Sequence, residues 1–551
     1  MLQAADPSVQ GQSAGQAMMV GQRPVTFPQV GNEPWRTSLF AALLDARERF
    51  GKGRMVVNDF AGTSLTYDRL VLGAILLGEK LTGLGKPSSP IGVLLPNASG
   101  VAAVFFGCQA AGRVPAMLNF SAGPRAIIGC CDAAEVDTII CSRAFVEKAD
   151  LHDLVAELEK TRTFVWTEDL RASIGALEKL RGLARVKLGM ISSVPGLQSD
   201  PDSVAALLFT SGTEGQPKGV ALTHANFLSN CWQFAQVIDH EPGDTIFAAL
   251  PLFHAYGLTV GLLAGVFLGV GVYLYPSPLH YKEIPGHVRR SKARIVVSTN
   301  TFVNGWMKNT EDGDFESVDL MVLGAERVSE QTRKQFRERF EVELLEGYGA
   351  TEAGPVIAAN HMEDNVDGTV GYLMPGMETR LDPIEGLETG GRLVVRGPNV
   401  MAGYVRVDAP GVIQPPVGGW HDTGDIVDFD EAGRVRIKGR AKRFAKLGGE
   451  MVSLTAVENY VGQVWPDDHH AVISLPDPRK GEMLVLVTEK QDPDLQDVRN
   501  WAQQEGVSEL MLPKRAVSVE ELPVLGTGKL NYGALDEIAL DALGAAGGTQ
   551  S

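Results

Sequence analysis

Five cysteines in 551 residues are too few for a disulfide scaffold, and no two of them stand at metal-ligand spacing. They are Cys108, Cys130, Cys131, Cys141 and Cys231, with no C-x-x-C among them. Such a chain is expected in a reducing compartment, with its thiols packed as small apolar side chains. Positive charge is also in deficit: 50 Lys and Arg against 67 Asp and Glu leave a net charge of -17. That balance argues against a general nucleic-acid binder, although local patches can still hold anions. No basic n-region and apolar h-region opens the chain as in a secretory signal. Residues 1–33, rich in Gln, Gly, Ala, Ser and Pro, read as a flexible lead-in. The expected place is cytoplasmic, with peripheral association at the inner face of the membrane left open.

Long apolar runs are scarce too. The one that needs a decision is Ala255 to Tyr275, which has no charged residue and is long enough to span a bilayer. Gly257, Gly261, Gly265, Gly269 and Gly271 interrupt it, and its Val-Tyr-Leu-Tyr end has strand character. A buried helix running into a buried strand is the better reading.

What the chain does have is length for at least two domains and the mixture of an ordinary globular protein, 44% hydrophobic and 21% charged. Strand candidates at Ile91–Leu95, Thr138–Cys141, Ala206–Phe209 and Arg294–Ser298 alternate with helical patterns. This is an α/β arrangement of parallel-type sheets flanked by helices. After about Gly386 the texture turns to short alternating strands, Gly391–Arg396, Ile426–Phe429 and Arg434–Lys438, a small antiparallel barrel-like subdomain. A smaller α+β segment follows. The expected division is a large domain over 34–439 and a small mobile domain over 440–551, hinged in Gly439–Arg443.

The most informative segment is Leu207-Leu-Phe-Thr-Ser-Gly-Thr-Glu-Gly-Gln-Pro-Lys-Gly219. A hydrophobic strand enters a loop carrying Thr210, Ser211 and Thr213, with Gly212, Gly215 and Gly219 and one cation, Lys218. Glycines let backbone N–H groups approach a phosphate, and hydroxyls and an ammonium complete such a site. It is not a Walker loop. The bland alternative is a polar surface turn.

This segment resembles the signature of the adenylate-forming enzymes: acyl-CoA synthetases, luciferases and peptide-synthetase adenylation domains. Further motifs follow in that family's order. They are Pro251-Leu-Phe-His-Ala-Tyr-Gly257, Gly347-Tyr-Gly-Ala-Thr-Glu352, Trp420-His-Asp-Thr-Gly-Asp425, Gly439-Arg440 and Gly526-Thr-Gly-Lys529. The resemblance covers roughly Thr37 to Asp536, and it implies ATP and Mg²⁺ as cofactors.

It also implies roles. Lys218 with Thr210, Ser211, Gly212 and Thr213 would hold the β- and γ-phosphates, and Glu352 would bind the Mg²⁺. Tyr348, beside Gly349 and Thr351, would stack on adenine, and Gly324, Ala325 and Glu326 resemble the opposite wall of that pocket. Asp425 and Arg440 would take the ribose. Lys529 would stabilise charge as carboxylate attacks the α-phosphate. Lys442 matches the family hinge, about which the small domain rotates between two half-reactions.

His254 stands where the family places an aromatic or histidine beside the acyl pocket. No acid lies between Asp244 and Glu283, so an amino acid's buried ammonium would lack a partner, and the apolar run suits a fatty acid. Tyr275-Pro-Ser-Pro-Leu-His-Tyr281 and Gly439-Arg-Ala-Lys-Arg-Phe-Ala-Lys446, with the segment to Ser453, resemble the acyl-acyl carrier protein synthetase branch. Arg434 to Lys446 holds seven cations in thirteen residues, a patch that would steer an acidic acyl carrier protein. Coenzyme A is also an anion and is the alternative acceptor. A catalytically silent binder would have no need of Lys529.

Overall fold

In the computed structural model the chain divides into two compact units, Met1–Glu378 with Arg396–His421, and Thr379–Val395 with Asp422–Ser551. The described residues are 17–20, 23–26, 28–29, 31–86, 89–211, 217–384, 387, 389–447, 450–477, 481–505, 507–524 and 530–547.

The first unit is built on two large sheets. Eight strands run in the order Ala409–Gln414, Gly403–Arg406, Pro217–Thr223, Val204–Ser211, Pro115–Met117, Ile91–Leu94, Thr138–Cys141 and Thr163–Trp166. Neighbours from Val204–Ser211 to Thr163–Trp166 pair parallel, and Pro217–Thr223 begins an antiparallel end. The second sheet has nine strands, with a parallel block formed by Glu343–Gly349, Leu320–Leu323, Ile295–Ser298, Thr245–Ala248, Gly271–Leu274 and Met55–Asp59. The central strands are buried along their whole length, as in Ile91–Leu94, Ile295–Ser298 and Leu320–Leu323. Continuous apolar runs of this kind belong to sheets covered on both faces. The strands expected from Ile91, Thr138, Ala206 and Arg294 are all present.

The apolar run resolves as expected. A helix covers Ala255 to Leu268, π-type over Tyr256–Leu263, and a strand follows over Gly271–Leu274. Gly269 ends the helix with φ +74°, the left-handed conformation that suits glycine. The run is buried protein core: Leu258, Val260, Leu262, Leu263 and Val272 are fully inaccessible. Among the described residues no helix is long and apolar enough to cross a membrane.

The second unit carries the small β region as a four-stranded sheet, Glu378–Asp382, Gly391–Arg396, His421–Phe429 and Val435–Arg440 in that order. Its α+β remainder packs the helix Leu454–Val464 against the sheet of His470–Asp477, Gly481–Thr488 and Arg515–Ser518.

Candidate functional site

The strands Val204–Ser211 and Pro217–Thr223 form an antiparallel pair that sets Lys218 opposite Thr210. Residues 212–216, and so Gly212 and Thr213, lie outside the described residues, as does the side chain of Ser211. Gly219 decides what packs next to the lysine. A Cβ there would stand 2.4 Å from Val405 Cγ2, so glycine admits the strand Gly403–Arg406 at close range. The register then places Val220 opposite Tyr404.

Tyr404 is the residue that sequence reasoning missed. Its hydroxyl donates to Glu352 Oε1 at 2.7 Å. Lys218 Nζ lies 5.3 Å from the centre of its ring, and the Arg406 guanidinium 5.2 Å. One phenol ring thus gathers the loop lysine, a second cation and the candidate metal carboxylate. The backbone reinforces this, since Met401 N–H donates to the Glu352 carbonyl at 2.8 Å and Ala402 N–H to that of Ala221 at 2.9 Å. In sequence Tyr404 is an ordinary strand aromatic, and only the register across Gly219 gives it a role.

At the carboxyl ends of the parallel block, where open α/β sheets bind ligands, stand Gly324–Glu326 and Tyr348–Glu352. Tyr348 is buried and Gly349 is irreplaceable on steric grounds: a Cβ would meet Pro355 O at 2.2 Å. Ala325 has φ +70°, a strained conformation for a residue with a Cβ. The Glu326 carboxylate turns away to cap a helix, accepting from Thr301 N at 2.6 Å and Thr301 Oγ1 at 2.7 Å. The backbone of 324–326 is then the part of this segment left for the expected adenine wall. Beneath it Glu346 pairs with Arg333 at 2.6 Å, both buried. Burial pushes the Glu346 carboxyl up, and Arg333 opposes that.

Tyr256, in the motif Pro251–Gly257, packs beside the 324–326 segment. It hydrogen-bonds to the Val322 carbonyl at 2.7 Å, and a Cβ on Gly324 would lie 3.3 Å from its ring. Asn97 ties the same motif down, donating to Leu250 O at 2.6 Å and accepting from Leu252 N at 3.0 Å. His254 is half-buried, its ring 4.9 Å from that of Phe253, which in turn meets Phe120 at 5.1 Å. That surrounding is apolar, as an acyl pocket requires. Thr259 Oγ1 joins the helix to the Gly354 carbonyl at 2.7 Å.

Within the second unit, Asp425 is buried and faces Arg440 across the hairpin, Oδ1 to Nε 3.1 Å. The two ribose candidates thus hold each other. Lys442 sits in the short turn Ala441–Arg443, with its side chain outside the described residues. Lys529 also lies outside them.

The cationic run needs correcting as an open patch. Arg434 pairs with Asp430, Arg436 and Lys438 with Asp428, and Arg440 with Asp425. Arg443 is largely buried, paired with Glu458 at 2.5 Å and stacked 3.8 Å from the ring centre of Tyr532. Five of the seven cations are therefore paired with carboxylates: Arg436, Lys438 and Arg440 face acids on the neighbouring strand, Arg434 an acid four residues earlier, and Arg443 one on the helix Leu454–Val464. Counting charges along one segment could not reveal that.

The AMP-binding enzyme family model matches residues 44–405. A long-chain-fatty-acid–CoA ligase of Salmonella typhimurium is 32% identical over 345 residues, 60% of each chain. One from Escherichia coli O157:H7 is 31% identical over 60% of this chain and 61% of its own. The chain thus spans about three fifths of the length of these curated relatives. A feruloyl-CoA synthase of Amycolatopsis is 27% identical over 86% of this chain and 93% of its own. Among solved structures, an anthranilate CoA ligase in complex with anthranoyl-AMP has a TM-score of 0.77 at 22% identity, covering 93% of this chain and 99% of its own. ATP-bound MatB from Rhodopseudomonas palustris has 0.75 at 24%, covering 91% and 98%. These structures establish the shared fold. With that match spanning the whole nine-stranded sheet, most of the eight-stranded one and the Lys218–Tyr404–Glu352 cluster, the chain belongs to the AMP-binding enzyme family.

Proposed function

We propose that this chain is an ATP-dependent acid–thiol ligase that activates a long-chain fatty acid and transfers it to coenzyme A. In the first half-reaction a carboxylate oxygen attacks the α-phosphorus, forming acyl-adenylate as pyrophosphate leaves. In the second a thiol sulfur, losing its proton, attacks the acyl carbon and AMP leaves. The observation that carries the reading is Tyr404, whose hydroxyl holds Glu352 while its ring lies beside Lys218. Bringing two anions together requires cations and oriented donors, and this cluster supplies them on a rigid strand.

Lys218, Thr210, Ser211, Gly212 and Thr213 take the β- and γ-phosphates in this reading. Tyr348, Gly349 and Thr351 with the 324–326 backbone take adenine, Asp425 and Arg440 the ribose, and His254 the mouth of the acyl pocket. Lys529 serves the adenylation step, and Lys442 is the pivot between the two half-reactions. Glu352 fits Mg²⁺. Among the described residues no group of three His, Cys, Asp or Glu could hold a metal alone. A single carboxylate sharing the ion with nucleotide phosphates is how Mg²⁺ is commonly bound. Bound there, the ion would neutralise phosphate charge.

Coenzyme A is preferred as acceptor because the fatty-acid ligase relatives are named for it, and because five of the seven cations in the basic run are paired with the chain's own carboxylates. The resemblance of the Tyr275–Tyr281 and Gly439–Ser453 segments keeps acyl carrier protein as the second reading. Thioester formation from ATP and a long-chain fatty acid, with both acceptors side by side, tests this. Product on coenzyme A alone is expected; product on the carrier protein alone would replace the first reading by the second.

A further inference from the structure

The 13-residue helix Ala176–Leu188 in the first unit carries the sequence ALEKLRGLARVKL. It packs against the helix Tyr67–Leu81 through its smallest residue: a Cβ on Gly182 would lie 2.9 Å from Leu76 Cδ2. Gly182 and Val186 are buried there. At 3.6 residues per turn, Leu177, Leu180, Ala184 and Leu188 share the opposite side. The three leucines are exposed among the described residues: Leu177 is 68% exposed, Leu180 63% and Leu188 70%, with Met190 at 52% just beyond. Of the fourteen large hydrophobic residues exposed among the described residues, five fall between Leu177 and Met190. Single exposed leucines are ordinary, but a concentration on one helix face marks an interaction site.

Charge says what kind. The apolar side is bordered by Lys187 on one margin and Arg181 on the other. Lys179 joins Leu180, Leu183, Leu72, Leu76 and Arg69 in lining a groove of about 630 Å³ between the two helices. The nearby acids are already engaged, Glu178 with Lys80 at 2.7 Å and Glu79 with Arg185 at 2.5 Å. In a chain of net charge -17, this face is locally cationic and apolar together. A helix of that composition, too short to span a bilayer, lies in the plane of an anionic lipid surface with its leucines among the acyl chains.

We propose that the face of Ala176–Leu188 bearing Leu177, Leu180 and Leu188, with Arg181 and Lys187 at its margins, docks the protein on an anionic membrane. The inference stands apart from the ligase reading, because none of these residues belongs to the nucleotide or acyl site. Its consequence for that reading is simple: a bilayer concentrates long-chain fatty acids.

Full-length protein is mixed with phosphatidylcholine vesicles, with or without 30 mol% phosphatidylglycerol, and separated by flotation. Partitioning onto the anionic vesicles is expected to exceed that onto neutral ones by at least about tenfold and to fall as salt rises. Leu177→Gln with Leu188→Gln, and separately Arg181→Glu with Lys187→Glu, are each expected to lower it by at least about tenfold. Thermal melts are expected to stay unchanged, since all four side chains point away from the packed face. Acrylodan placed on Leu188→Cys gives a second readout. The five native cysteines are buried, so the label is selective, and its emission is expected to shift to the blue on anionic vesicles only. Absence of wild-type binding, equal binding by the variants, or no shift of the label overturns the proposal. So does a lipid-free dimer that the leucine variants dissociate, which would assign the face to a second copy of the chain.

Discussion

Replacing Tyr404 by phenylalanine removes one oxygen and leaves the ring beneath Lys218 and Arg406. What is lost is the 2.7 Å hydrogen bond to Glu352 Oε1. A hydrogen bond to a charged group contributes about 1.5–3 kcal/mol. At about 1.4 kcal/mol per factor of ten, that converts to roughly 10- to 150-fold. If the hydroxyl's task is to aim the carboxylate at a Mg–nucleotide, the loss falls on metal use. Pyrophosphate release with a saturating fatty acid is measured while Mg²⁺ is titrated. Tyr404→Phe should need more Mg²⁺ and show a lower rate at limiting metal, with ATP binding in the absence of metal little changed. Glu352→Gln should do the same more severely. Tyr404→Phe added to Glu352→Gln should cost little more, because the hydroxyl acts through the carboxylate and coupled sites are not additive. Tyr404→Ala also removes the ring–cation contact, about 0.5–1 kcal/mol at a partly exposed site, and should further weaken nucleotide binding. A Mg²⁺ titration of Tyr404→Phe that superimposes on wild type, or full additivity in the double variant, would refute the reasoning.

Lys529→Ala should nearly abolish pyrophosphate release while ATP still binds, as checked by calorimetry beside the rate assay; near-normal release removes Lys529 from the mechanism. Arg443→Met breaks a buried pair and strands Glu458, whose carboxyl burial already pushes up. A loss of about 3–5 kcal/mol is expected, visible as early unfolding in a thermal melt, and a change of acceptor preference without loss of stability would contradict it. His224 is buried and its Nδ1 accepts from Leu39 N–H at 3.1 Å, so burial lowers its pKa from 6.5 to about 4. The unfolded chain therefore binds a proton between those values that the folded one refuses. Stability from this group is complete above pH 6.5 and declines as pH falls toward 4, by up to about 3 kcal/mol. His224→Gln should flatten the decline of melting temperature over that interval, and an unchanged slope would show that other groups set it.

Some of this was written locally in the chain. The loop from Thr210 to Gly219 offers its chemistry by composition, since glycines, hydroxyls and one lysine in ten residues are the parts from which an anion site is built. The buried strands at Ile91, Thr138 and Ile295 are readable because short runs free of charge and rich in β-branched residues suit a doubly covered sheet. The helix-to-strand passage from Ala255 to Tyr275 is legible from its glycines and its aromatic end. Each of these signals lies within about twenty residues, the range over which periodicity operates.

Partnership across distance was not written there. Lys218, Glu352 and Tyr404 come from three separate elements, and strand register across Gly219 makes them neighbours. No local pattern encodes which strand will lie beside which. The cationic run shows the converse: a segment that reads as a free patch is matched by Asp425, Asp428, Asp430 and Glu458 once the hairpin forms and the helix Leu454–Val464 packs. The leucines of Ala176–Leu188 carry the same lesson. Their helical spacing is that of any amphipathic helix, and only packing through Gly182 determined that they would face outward. Sequence fixes which chemistry is on offer because side chains are local properties; tertiary structure decides which of it meets, because pairing and burial are properties of surfaces.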